Sequence, residues 1–160
     1  MPEVPSGIVG ASLGGAVSAR HGRAWLALVA VLALHVLDEA LTHFLDFYNP
    51  LVLRIRSQIG WFPMPTFTFG PWLTGLIVAT LALALLTPVI RRGSQGARLA
   101  SYAFSALMFA NGLGHLGGSI YFERWLPGAT SAPLLLIASV MLARATSRVG
   151  PTRRRFGGDR

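Results

Sequence analysis

Apolar residues fall in four long runs separated by short polar stretches. The first covers about Ala24–Leu45 and opens WLALVAVLAL; the second, Trp72–Ile90, carries no charge. The third covers about Ala97–Phe122 and the fourth about Trp125–Ala143, with Pro127, Gly128 and Pro133 in its first half. Roughly 20 residues cross about 30 Å of hydrocarbon, and all four runs are near that length. The pattern predicts an all-α fold, a four-transmembrane-helix bundle. An outer connection, Asp46–Pro71, joins the first two spans. Within it Leu51–Ile59 mixes apolar residues with Arg54, Arg56, Ser57 and Gln58, as in a short interfacial helix. Trp61, Phe62, Phe67, Phe69 and Trp72 follow among Pro63, Pro65, Gly70 and Pro71. Aromatic residues gather at headgroup level, so this loop is expected over the outer mouth, as a lid or an anchor.

Composition agrees with this pattern. The chain of 160 residues is 52% hydrophobic and 12% charged, against roughly 25% charged in soluble domains. With no Cys, disulfides, thiolate metal sites and redox dithiols are excluded. All 14 basic residues are Arg, and the net charge is +8. Such a charge raises nucleic acid as a partner, but the placement argues for membrane lipid instead. Eleven arginines lie before the first span, between the second and third, or after the fourth; only Arg54, Arg56 and Arg124 lie on the other side. By the positive-inside rule both termini are cytoplasmic. Residues 1–22 lack the basic start of a secretory signal, and their Gly and Ser content suggests a flexible tail. Residues 23–145 form the membrane domain. Residues 146–160 form a basic, disordered tail suited to anionic headgroups. Gly112, Gly114, Gly117 and Gly118 lie inside a span, where small residues permit close helix approach.

Against this apolar background, His35, Asp38, Glu39 and His43 stand out, with Asp46 just beyond. A central Asp costs roughly 2.5–3.5 kcal/mol in a bilayer, and an intramembrane ionisable cluster is a functional-site hypothesis by default. At about 100° per residue these five and Thr42 share one arc of roughly 140°. Leu28, Val31 and Leu32 continue the stripe below His35, so the pocket opens outward and closes toward the cytoplasm. The third span supplies Asn111 and His115, four residues apart on one face. Glu39 lies 16 residues above Arg23 and His115 lies 17 above Arg98. At about 1.5 Å per residue the two reach the same depth and can face each other.

His and carboxylate side chains bind Zn, Fe or Mn. His35, Glu39 and His115 are the expected primary ligands of a divalent metal, with Asp38 and His43 auxiliary. Glu39 and Asp38 are the candidate catalytic carboxylates, and Asn111 and Thr42 are expected to orient ligands from behind. The spacing is not H-E-x-x-H, so the zincin motif does not apply. The same residues also suit a proton relay or buried hydrogen-bond network. A third alternative is a small accessory subunit of a membrane complex, or a homo-oligomer, with the second span and the outer face of the first as contact surfaces. His21 is expected to be solvated, and Glu123–Arg124 at most a surface ion pair.

The string His35-Val-Leu-Asp38-Glu39 resembles the signature of the HXXEE-motif family of small bacterial integral membrane proteins. Asn111-Gly-Leu-Gly-His115 and Trp125-Leu-Pro127-Gly128 resemble that family's second half, and the likeness covers about Trp25–Ala143. The first acidic position here is Asp38, a methylene shorter than Glu. The resemblance implies a bacterial cytoplasmic membrane location. The family has no assigned activity, so the likeness supports these residues and supplies no reaction. The residues themselves suggest a metal site, in an enzyme acting on a lipid or other apolar substrate.

Overall fold

Leu, Ala and Met favour helix, and Pro is tolerated in a helix's first turn. The apolar runs accordingly fold as helices, with Pro71, Pro88 and Pro133 all in first turns. The computed structural model describes residues 6–149 and contains α1 (Ser6–Leu41), α2 (Phe44–Ile59), α3 (Phe69–Leu85), α4 (Thr87–Arg91), α5 (Gln95–Tyr121) and α6 (Ala132–Ser147). The described residues form no strand, and the protein is all-helical.

Several boundaries differ from the sequence expectation. From Ser6 onward the Gly- and Ser-rich stretch is helical and continuous with the first apolar run, so a tail over residues 6–22 is not what forms. Instead of continuing to Leu45, the first helix ends at Leu41. Thr42 N–H still reaches the Asp38 carbonyl, but His43 turns left-handed at φ 58°. His tolerates that region better than most residues. The reversal places Phe44, Leu45 and Asp46 in α2, where Asp46 favours the positive helix N-terminus. At the other end of the chain, α6 runs to Ser147, and Thr146 and Val149 are buried. The expected tail therefore does not include residues 146–149; its remainder lies outside the described residues.

Helices α1 and α5 run the same way, with α3 and α6 antiparallel to them. Trp25 low on α1 donates its indole N–H to the Leu83 carbonyl at the far end of α3 (2.8 Å), and its ring lies 5.0 Å from that of Phe104 on α5. Leu28, Leu135 and Leu142 are fully buried between α1, α5 and α6. His21 is also fully buried, contrary to the expectation of solvation. Its Nε2 lies 3.0 Å from Ser101 Oγ and 3.2 Å from Thr146 Oγ1. The His21 ring thus links α1 to a hydroxyl on each of α5 and α6.

Gly112 permits close helix approach, as its position inside an apolar run suggests. A Cβ there would meet Leu136 and the Ala132 carbonyl of α6 at 3.0–3.1 Å, so this glycine brings α5 close to α6 rather than to α1. Gly114 and Gly117 face open space. The start of α5 is capped by Ser94, whose Oγ accepts from Ala97 N–H at 3.2 Å. Ser94→Ala is expected to lower stability by about 1 kcal/mol, measured as a shift in the unfolding midpoint.

The segment between α2 and α3 folds back along α2. Asn49 exchanges two hydrogen bonds with Phe67 (2.9 and 3.1 Å), Tyr48 donates to the Pro65 carbonyl (3.0 Å), and Arg56 reaches the Met64 carbonyl. Arg124 stacks over the Phe47 ring at 5.3 Å.

Large apolar side chains cover the outside of the bundle, including Leu37, Leu41, Val78, Leu81, Leu107 and Ile137. Among the described residues two helical stretches, Gly15–Leu41 within α1 and Phe69–Arg91 across α3 and α4, are long and apolar enough to cross a bilayer.

Candidate functional site

The site lies where the upper ends of α1 and α5 meet the turn leading into α6. His35 and Glu39 are one turn apart on α1 and share a face. His115 faces them from α5. All three are buried, and their nearest donor atoms lie within 4.8 Å of one another. Glu39 Oε1 is 3.1 Å from His115 Nε2 and 3.6 Å from His35 Nε2. The imidazole rings meet edge to face, with centroids 4.7 Å apart. The depth match drawn from the sequence is thus realised as direct contact.

The hydrogen bonds assign both imidazole tautomers. His115 Nδ1 lies 2.6 Å from the Pro127 carbonyl, which can only accept, so Nδ1 carries a proton; in the neutral ring the lone pair is then on Nε2, facing Glu39. His35 Nδ1 lies 2.8 Å from Ser131 Oγ, and that hydroxyl donates to Asp38 Oδ2 at 2.7 Å. Its one proton spent on the carboxylate, Ser131 Oγ must accept from His35 Nδ1–H. In the neutral ring His35 Nε2 is then a lone pair too, buried and facing Glu39 at 3.6 Å. Two lone pairs and a carboxylate oxygen converge on one buried point. All three are acceptors, and such a set is unfavourable until a cation or proton joins it.

The remaining predicted residues are placed differently. Asp38 is outside the converging group: its Oδ2 accepts from both Ser131 N–H (2.9 Å) and Ser131 Oγ. Its carboxylate thus orients His35 through Ser131 instead of facing the centre. Thr42 is exposed and donates to the Asp38 backbone carbonyl at 2.5 Å, serving its own helix rather than a ligand. His43 is exposed, and with Asp46 it lines a separate cleft beside α2. The reversal at His43 has carried both off the shared arc. Asn111, one turn before His115, has its Oδ1 buried and unpartnered.

The turn between α5 and α6, expected as part of the fourth span, forms a wall of the site. It supplies the Pro127 carbonyl, Ser131 and Gly128. At Gly128 φ is +81°, and a Cβ would stand 2.7–2.8 Å from the His115 ring and 3.1 Å from Glu39 Cγ. Only glycine allows the backbone to lie this close in this conformation. Pro133 in the first turn of α6 was the available signal that the helix starts late and the preceding residues form a turn.

A cleft of about 430 Å³ leads in from the side, bordered by Glu39, Asn111, Phe44, Phe67, Trp72 and Leu76. Tyr48 also borders it. Burial raises the pKa of the Tyr48 phenol, with Arg56 pulling the other way, so the hydroxyl stays protonated as a donor to Pro65.

No curated protein and no solved structure matches the chain. A family described as "protein of unknown function with HXXEE motif" matches residues 24–142. That stretch includes His35, Glu39, His115 and the turn that orients them, and the chain belongs to this HXXEE-motif family.

Proposed function

We propose that this protein is a four-span membrane protein, with the bundle over residues 23–145, that binds one divalent metal through His35, Glu39 and His115. The observation that carries the metal reading is the convergence of two bare imidazole nitrogens on one carboxylate oxygen, each ring held by an acceptor behind it. Imidazole ligands oriented through their other nitrogen are a recurrent feature of metal sites. The spacing also fits. Tetrahedral bonds of about 2.1 Å put donor atoms about 3.4 Å apart; the two separations from Glu39 Oε1, 3.1 and 3.6 Å, bracket that value, and all three donor atoms lie within 4.8 Å of one another. Two His and one carboxylate leave coordination positions open, as catalytic Zn²⁺ and non-haem Fe²⁺ sites do; Mn²⁺ accepts the same donors.

The apolar side cleft supports an enzyme acting on a lipid or another apolar substrate. Phe44, Phe67, Trp72 and Leu76 would hold a hydrocarbon chain and exclude water. Asn111 would offer its Oδ1 to a polar group beside Glu39. A bound divalent ion supplies Lewis-acid chemistry at that position. The apolar belt on the helices fits lipid contact, and the arginine distribution favours both termini on the cytoplasmic side. The proton-relay alternative needs water from both sides, yet fully buried Leu28 lies below the site.

The test is metal content. Protein purified in detergent without chelator is expected to carry close to one equivalent of Zn, Fe or Mn by mass spectrometry. His115→Ala should retain less than about a tenth of that, given the orders of magnitude one ligand contributes. A folded wild-type preparation with no metal would reject this reading in favour of proton sharing. Ser131→Ala is a milder test. It removes the acceptor that fixes the His35 tautomer, and metal affinity should fall about 10- to 100-fold, read by competition with a calibrated chelator.

A further inference from the structure

A second cleft, of about 450 Å³, lies between α1 and α6 at the end of the bundle opposite the His–Glu site. Arg20 and Arg23 border it from α1, and Arg144 and Arg148 from α6. The spacings, i to i+3 on one helix and i to i+4 on the other, set each pair on one face. Because the helices are antiparallel, the two faces meet at the same level. All four arginines are exposed, and among the described residues none is paired with a carboxylate. The described carboxylates, Asp38, Glu39, Asp46 and Glu123, all lie toward the other end. Four like charges around one cleft repel one another unless an anion sits among them. The negative C-terminus of α6 offsets part of the charge at Arg144 and Arg148, but not at Arg20 and Arg23.

The floor of this cleft is apolar. Ala24 and Ala145 are buried at the seam, and Ala27 and Met141 continue it along the bundle. Small side chains there leave an apolar slot along the seam. Guanidinium groups match phosphate in geometry as well as charge. We propose that this cleft binds one anionic phospholipid, its phosphate held by Arg20, Arg23, Arg144 and Arg148 and its acyl chain laid along the α1–α6 seam. The apolar floor selects a lipid over a free anion. This inference rests on the membrane reading above and is independent of the metal site.

The test uses the full chain in detergent, titrated with phosphatidylglycerol, phosphatidylcholine or inorganic phosphate and followed by native mass spectrometry. Phosphatidylglycerol should be retained in preference to phosphatidylcholine, at about one per chain. Arg23→Gln with Arg144→Gln should weaken its binding about tenfold or more, from the worth of each basic residue near a lipid phosphate. Arg54→Gln with Arg124→Gln, at the other end, should leave it unchanged. If the first pair does not fold, Arg20→Gln with Arg148→Gln gives the same readout. Equal retention of both lipids, equal loss in the control pair, or displacement by inorganic phosphate at matched concentration would each overturn the proposal. An alkaline wash of the membrane fraction separates the two levels of failure. A chain released by the wash defeats the membrane reading itself, whereas a chain that resists it and shows no lipid preference defeats this inference alone.

Discussion

Glu39→Gln is expected to abolish metal retention while leaving the metal-free protein at least as stable as the wild type. The two halves of this result have different causes. A carboxylate facing a cation in a buried site contributes charge that an amide does not replace. Removing one partner of a buried charge pair costs about 3–5 kcal/mol, or roughly two to four orders of magnitude in affinity. Without a cation or a bound proton, the same carboxylate faces two imidazole lone pairs at 3.1 and 3.6 Å. An amide in its place presents an NH₂ group with two donors, one for each bare nitrogen. The substitution therefore removes the ligand charge and relieves the acceptor conflict together. Metal analysis and thermal unfolding, each with and without chelator, check both halves. The wild type should lose stability on chelation, by about 2.7 kcal/mol if its metal was present at 100 times the dissociation constant, and the Gln variant should not respond. If the centre instead shares a proton, chelator changes neither protein. A Gln variant that keeps its metal would remove Glu39 from the ligand set.

The heart of this site was legible in the sequence because its residues are costly where they stand. His35, Glu39 and His115 interrupt apolar runs, and few other polar groups lie at that depth to satisfy them. Counting residues from the flanking arginines was enough to bring Glu39 level with His115. The arc drawn through Thr42, His43 and Asp46 failed for a local reason. It assumed that the helix continued, and neither Gly nor Pro marks its end at Leu41. A left-handed His43 makes the turn instead, and His signals that conformation far more weakly than Gly or Asn. Asp38 lay on the correct face, but a helical wheel cannot tell a ligand from the carboxylate behind a ligand. That distinction depends on Ser131, 93 residues away. Ser131 and the Pro127 carbonyl were invisible for a related reason. A serine is cheap to bury when bonded, and a backbone carbonyl belongs to every residue. Their roles exist only once the α5–α6 turn folds over the rings.

The most severe effect of a single added methyl group is expected at that turn, for Gly128→Ala. Strain comes first. An L-residue held in the left-handed region costs roughly 1–2 kcal/mol, and Gly128 sits at φ +81°. Overlap adds to it, because the new Cβ would stand 2.7 Å from His115 Cε1 and 2.8 Å from its Nδ1. The ring cannot swing away freely: its Nδ1–H is held by the Pro127 carbonyl at 2.6 Å, and its other side meets Glu39. Overpacking of this kind typically costs 1–3 kcal/mol, and a lost hydrogen bond costs about 1 kcal/mol more. The combined destabilisation is on the order of 3–6 kcal/mol, with metal retention lost as the ring is displaced. Gly60→Ala is the control for strain without overlap. Gly60 also has a positive φ, +74° with ψ −45°, but a Cβ there meets nothing within 4 Å, so the variant should lose stability through backbone strain alone and the metal should stay. Unfolding midpoints and metal content of the two variants separate backbone strain from the wall's contact with the site. If Gly128→Ala behaves like Gly60→Ala on both measures, the turn does not press on His115, and the ring must be oriented by something other than the backbone of Pro127 and Gly128.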